Sequence, residues 1–287
     1  MADQVTIARL RRIAAQIRLL TVRMMGAGKA HHFGGSLSAA DIITALYFYK
    51  MRYDFRNPKW PERDRLIMSK GHSVPVQYAA LALLGVFEVD ELFTLKKLGS
   101  RLQGHPAMHL TPGLEACTGA LGEGLSYANG IAMASRIRGF NCRVFCTIGD
   151  GELHEGQTWE AAMTASRRGL ANVTALIDRN RLKAMDAADS CKSLDPLALR
   201  WESFGWAVQE IDGHEMQQIC DALDRACVQE SRPSMILCNT VKGNGVSFLE
   251  GAAGFHNAPV SDEQYEQAVQ ELEANLRQLE EVDATAY

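Results

Sequence analysis

The sequence predicts an α/β protein, a parallel sheet with helices on both faces. Three observations carry this expectation. Short apolar runs alternate with helical stretches, as strands joined by crossover helices do. The runs RVFCTI (143–148), VTALID (173–178) and PSMILCNT (233–240) are continuous rather than alternating, which suits strands covered on both faces. No linker, repeat or low-complexity stretch interrupts the 287 residues, so residues 1–287 are expected to form one domain.

The elements follow in order. Thr6 to Met25 reads as a helix whose apolar stripe is Ile7, Leu10, Ala14, Ile17 and Thr21. Arg9, Arg11, Arg12 and Arg18 fall on its polar side and are expected to form a solvated face. The Gly-rich loop AGKAHHFGGSLS (27–38) leads to a second helix, with Ser38 as N-cap and Asp41 in the first turn. DRLIMS (64–69) is a strand, and SVPVQYAALALLG (73–85) a helix ending at Gly85. LGEGLSYANGIAMASRIRG (121–139) is a helix closed by Gly139. RVFCTI exits through Gly149-Asp150-Gly151 into the helix QTWEAAMTASRRG (157–169), which stops at Gly169. After VTALID, the stretch DPLALRWESFG (195–205) offers Asp195 as N-cap, Pro196 at the first helical position and Gly205 past the end. WAVQEI, HEMQQICDALDRACVQ and PSMILCNT give strand, helix and strand. A charged amphipathic helix follows Ser261.

Composition narrows the function. Net charge is −4, and the 30 Lys and Arg are scattered among 34 Asp and Glu, which argues against a nucleic-acid partner. The longest apolar run, Tyr78 to Phe87, is too short for a membrane span of roughly 20 residues. The N-terminus carries no apolar signal segment. Seven cysteines (117, 142, 146, 191, 220, 227 and 238) lack metal spacing, and several sit in apolar runs. Reduced, buried thiols in a cytoplasmic protein fit that pattern.

In parallel sheets ligands collect outside the carboxyl ends of the strands. Asp150 and Asn180 sit at two such ends. They could hold one Mg²⁺ between them, with a backbone carbonyl just past Asn180 and with ligand phosphate completing the shell. They could equally be plain turns. Gly149 and Gly151 would let backbone approach a diphosphate. The segment Thr118 to Gly124 opens a helix, where N–H groups attract anions; the alternative is a loop chosen for tight packing. His32, His72, His105 and His256 all lie in loops beside Gly, Pro or Phe. Such histidines can donate to phosphate and hydroxyl oxygens and shuttle protons, although a single histidine is more often structural. His31, His109, His154 and His214 are read as structural.

Together these residues resemble the transketolase family and its thiamine-diphosphate motif, GDG followed about thirty positions later by Asn. HHFGGSLSAADI, DRLIMSKGHS and GHP look like the family's three histidine loops. TPGLEACTGALGEGLSYANGIAMA looks like its cofactor-helix segment, and TVKGNGVSFLE like its last strand. The resemblance implies that Asp150, Asn180 and the Leu182 carbonyl bind Mg²⁺. It implies that Gly149, Gly151 and the segment Gly119, Ala120 and Leu121 contact thiamine diphosphate, with His72 and His256 near the diphosphate. It places His32, His105 and His256 along the substrate channel, and Glu155 at a subunit interface near the cofactor. Departures from the family pattern are His31 for Gly, Phe33 for Pro, Glu123 for Gln, Arg181 for Gly, and Phe255 before His256.

The family's aminopyrimidine-binding domain is not found within residues 1–287 and is expected on a second chain. The expectation is therefore a diphosphate-binding subunit of a two-chain transketolase, active only with a separate C-terminal subunit. An α2β2 heterotetramer is expected, acting on a sugar or sugar phosphate. The alternatives are a subunit of a 1-deoxyxylulose-phosphate synthase or a 2-oxo acid dehydrogenase, or a non-catalytic binding protein derived from such an enzyme.

Overall fold

The computed structural model describes all residues except 27, 30, 183–193 and 286–287. Five parallel strands form one sheet in the order β1-β2-β3-β5-β4. They are β1 (Arg65–Met68), β2 (Val144–Gly149), β3 (Val173–Arg179), β4 (Ala207–Asp212) and β5 (Ser234–Asn239). Helices α1 (Gln4–Met25), α2 (Phe33–Ser38), α3 (Ala40–Ala45) and α4 (Val74–Leu83) precede the second strand or flank the first. Then follow α5 (Gly124–Ile137), α6 (Gly156–Arg167), α7 (Leu197–Ser203), α8 (Met216–Cys227) and α9 (Asp262–Thr285).

The continuous apolar runs divide between two cores because successive strand side chains point to opposite faces. Val144, Cys146, Ile148, Val173, Ala175, Ile177, Met235 and Leu237 join one core, with Leu125, Ala128 and Ala132 of α5, Ala161, Ala162 and Ala165 of α6, and Trp201 of α7. Phe145, Leu176, Ile236 and Cys238 join the other, with the apolar faces of α1, α3, α4 and α8. Each fully buried side chain of Leu or Phe size contributes about 1.5–3 kcal/mol. The alanines of α5 and α6 let those helices lie close together on the sheet. The edge strand β4 is only partly covered.

Three local expectations are corrected. Ser38 is not an N-cap: it ends α2, and its hydroxyl donates to Asp178 Oδ2 at 2.6 Å, with Gly35 O at 3.2 Å. Arg18 is not on the solvated face with Arg9 and Arg11; it is 6% exposed and paired in two places with Asp41. The charge of Asp41 serves that buried pair rather than only a helix end. Asp195 is not the cap of α7, since Pro196 occupies that position. The Asp195 carboxylate instead accepts from Arg179 Nη2, which lies 2.7 Å from each of its oxygens.

Candidate active site

Strands β2 and β3 end side by side, with Gly149 opposite Asp178 in register, and the Asp150 amide donates to Asp178 O at 3.2 Å. The thirty-residue interval is therefore the length of one helix and one strand of the fold. A cavity of about 240 Å³ opens at these ends. Its lining brings together Gly149, Asp150, Gly151, Asn180, Leu182, Leu121, His72 and His256 from the sequence expectation. It adds Gly35, Lys70, Glu152 and Lys242, which that expectation missed.

Asp150 accepts from the amides of Gly151 at 2.8 Å and Arg181 at 2.6 Å. Arg181 adopts φ 60°, the left-handed region that favours glycine; this accounts for the Gly otherwise usual at this place. Its amide is thereby turned onto Asp150, and the Leu182 amide donates to Asn180 Oδ1 at 3.2 Å. Burial, and next the neighbouring Asp178 charge, raise the Asp150 pKa to about 6. A carboxylate held by two amides, with its ionised form disfavoured, suits a bound divalent cation. Asp150 and Asn180 offer oxygen donors of the kind Mg²⁺ takes, and Leu182 lines the same cavity.

The lining also contains two lysines. Lys70 and Asp178 form a buried ion pair, with side chains 3% and 1% exposed. Lys70 Nζ also donates to Gly35 O at 2.8 Å, and Ser38 and Thr240 donate to Asp178. Burial alone would raise the Asp178 pKa; the Lys70 ammonium and the two hydroxyls outweigh it and hold it low. Lys242 is 2% exposed, its stem lies against Gly34, and Nζ sits 3.3 Å from His256 Nδ1. The loop carrying Lys242 is anchored by His214. The Val241 amide donates to His214 Nε2 at 2.8 Å, so the proton is on Nδ1, which faces Asp41 Oδ2 at 2.8 Å. The structural reading of His214 thus gains a content, because it ties the Arg18–Asp41 pair to the cavity wall.

Glu152 is the other missed residue. Its carboxylate receives the amides of Gly122 at 2.7 Å and Gly149 at 3.2 Å and the hydroxyl of Ser69. It therefore joins three loops under the cavity. The sequence signal was an acid directly after the Gly-Asp-Gly turn. Because Glu152 takes the Gly122 amide, that donor of the segment before α5 serves the fold. Gly119 packs against the His105 ring, and Ala120 is exposed; neither lines the cavity. Glu155 is exposed, lies outside the cavity lining and packs beside Gly122.

The four loop histidines converge. The His32 ring lies 4.7 Å from His72, 5.2 Å from His256 and 6.4 Å from His105, and His72 and His256 are 5.3 Å apart. Burial, then mutual repulsion, lowers the pKa of His32 to about 4. Burial, then the Lys242 charge, does the same for His256. His72, the most enclosed, is lowered furthest. All three are neutral at neutral pH, each able to donate one hydrogen bond and accept another.

Residues 10–286 match the family model of the transketolase thiamine diphosphate binding domain. A 6-deoxy-6-sulfo-D-fructose transketolase subunit of Clostridium sp. (strain MSTE9) is 45% identical over 257 residues, covering 90% of this chain and 94% of that one. One subunit of the apulose-4-phosphate transketolase of Phocaeicola vulgatus is 40% identical over 259 residues, 90% of this chain and 92% of that one. The crystal structure of transketolase from Campylobacter jejuni superposes with a TM-score of 0.86 at 28% identity, covering 97% of this chain and 46% of that one. The chain thus spans about half the length of that enzyme, yet nearly all of the two subunits. A parallel sheet with a cavity at its strand ends and a likeness that runs the length of such subunits lead to one conclusion: the chain belongs to the transketolase family, as the thiamine diphosphate-binding subunit of its divided members.

Proposed function

We propose that residues 1–287 form one domain that holds the diphosphate end of the cofactor in a two-chain transketolase, which moves a two-carbon ketol unit from a ketose to an aldehyde. The carrying observation is the cavity itself, whose lining combines the half-buried Asp150 carboxylate with Lys70, Lys242, His72 and His256. A lone phosphate would need only the cationic and hydrogen-bonding groups; a diphosphate with its Mg²⁺ needs the carboxylate as well.

Thiamine diphosphate, when bound, supplies the nucleophilic carbon and electron sink of ketol transfer. The residues of this chain position and exclude. Asp150, Asn180 and the Leu182 carbonyl hold the Mg²⁺. Lys242, His72 and His256 donate to phosphate oxygens. Gly149 and Gly151 line the cavity without side chains, and Leu121 adds an apolar group to the lining. His32 and His105 hold the hydroxyls of the sugar, and the neutral imidazoles can pass a proton to and from the carbonyl oxygen. Glu155 lies on the exposed side of the loops, where a separate C-terminal subunit would close the site in an α2β2 assembly. A row of four histidines favours a polyhydroxylated substrate over the 2-oxo acid or deoxyxylulose alternatives. The six described cysteines are free thiols, which supports a cytoplasmic setting; Cys117, unlike most of the others, is exposed.

The test is reconstitution with the partner subunit, Mg²⁺ and thiamine diphosphate, followed by an assay of two-carbon transfer between ketose and aldose. Ketol transfer that depends on all components supports the proposal, and a saturated complex without it would refute it.

A further inference from the structure

Glu152 lines the cavity yet has no part in the proposed chemistry. It is an acid, 2% exposed, in a lining that has to accept a diphosphate. A carboxylate at such a place repels phosphate oxygens, so its presence there has a cost that another role must offset. Its hydrogen bonds define that role. Oε1 accepts from the Gly122 amide at 2.7 Å and from the Ser69 hydroxyl, and Oε2 accepts from the Gly149 amide at 3.2 Å. Gly122 and Ser69 stand 30 and 83 positions away in the chain. Each of the three donors is the chain neighbour of a residue in the cavity lining: Gly122 follows Leu121, Ser69 precedes Lys70, and Gly149 precedes Asp150.

The loops meet too closely for the donors to be supplied in another way. Gly122 has φ 90°, which only glycine takes readily, and a Cβ there would stand 2.8 Å from Glu155 Cβ. Ser69 is 1% exposed, with Gly124 packed against it. An ionised carboxylate only accepts, with about four lone-pair sites on two oxygens, so it takes all three donors at once. A side-chain amide of the same size has one accepting oxygen and would turn an N–H group toward at least one of them.

We infer that Glu152 is a positioning residue for the cofactor: by accepting from three loops at once, it holds Lys70, Leu121 and Asp150 at the spacing that a diphosphate with its Mg²⁺ requires. This rests on the transketolase reading. It adds to that reading a residue that favours cofactor binding through its neighbours, against the sign of its own charge.

The experiment uses the reconstituted two-chain holoenzyme with Glu152→Gln, Ser69→Ala and the double variant. Calorimetry at saturating Mg²⁺ gives the Kd for thiamine diphosphate, steady-state kinetics at saturating cofactor give the KM for a ketose, and thermal unfolding gives stability. Glu152→Gln should weaken cofactor binding by about tenfold or more, as the loss of a charge-assisted acceptor does, while the KM for the ketose stays near its wild-type value. Charge alone gives the opposite sign, because removing a carboxylate from the lining would tighten the binding of a diphosphate. Ser69→Ala should weaken cofactor binding by a smaller factor. In the double variant the loss should be less than the product of the two single losses, as for residues that share one contact. Cofactor binding by Glu152→Gln that is unchanged or tighter, even with a lowered melting temperature, overturns the inference alone, and so do two losses that multiply independently. Should Glu152→Gln fail to fold, wild-type affinity in Ser69→Ala overturns it. A wild-type complex that binds no thiamine diphosphate overturns the transketolase reading and the inference with it.

Discussion

At the residue scale, two charged groups on the cavity walls have opposite energetics. Asp150 is held by two backbone amides while burial, and next the Asp178 charge, raise its pKa to about 6, so a bound cation would favour its ionised form. Asp150→Ala and Asn180→Ala should each remove Mg²⁺-dependent binding of thiamine diphosphate to the reconstituted enzyme. Calorimetry with and without Mg²⁺ checks this, and wild-type affinity in both variants would rule out the ion site. Lys70 and Asp178, in contrast, neutralise each other inside the protein. Lys70→Met leaves Asp178 buried and unpaired, which costs on the order of 3–5 kcal/mol. The double variant Lys70→Met/Asp178→Leu should recover much of the thermal stability without recovering cofactor affinity. Asp150, Asn180 and the four histidines could be singled out in the sequence as a set, because they recur at loops and strand ends beside glycine, although each alone reads as a turn or structural residue. Lys70, Glu152, Asp178 and Lys242 could not. Their side chains act between loops distant in the chain, and nothing local marks a lysine in SKGHS or TVKGN as buried.

At the element scale, the site is placed by how closely loops and helices approach. Helix α5 begins against the end of β1: a Cβ on Gly124 would lie 2.2 Å from Ser69 Oγ and 2.7 Å from Ser69 Cα. Backbone cannot rotate away, so Gly124→Ala must push α5 from the loop that carries Lys70 and His72. A loss of about 1–3 kcal/mol is expected, read as a lower midpoint in urea, together with weaker cofactor binding. An unchanged midpoint would show that α5 is free to shift. The sequence placed α5 correctly from its period and its closing glycine. It misplaced the cap of α7 and the start of α3, because Asp and Ser favour caps only when no stronger partner is near. Here Arg179 takes Asp195, and Asp178 takes Ser38.

At the scale of the whole molecule, the histidine row couples acidity to stability. The pKa values of His32 and His256 are about 4 in the fold and near 6.5 in an unfolded chain. Between these values the unfolded chain binds more protons, so stability falls as pH is lowered from about 6.5 to about 4. Comparing the wild type with His32→Gln across this window isolates the effect from the carboxylates. The variant should lose less melting temperature on acidification, and parallel curves would contradict the sign. The chain by itself should bind thiamine diphosphate weakly and show no ketol transfer until the partner subunit is added; robust turnover of the purified chain alone would refute the division of labour. The sequence by itself determined the parallel sheet, its helices and the two strand ends that meet at the site, because period, capping and turn chemistry act within a few residues of the chain. Only the tertiary structure decided what those ends face. The Lys70–Asp178 pair, the Glu152 clasp and the His214 anchor join residues far apart in the chain. Such contacts are selected by burial and charge in space, and burial is a property of the packed whole.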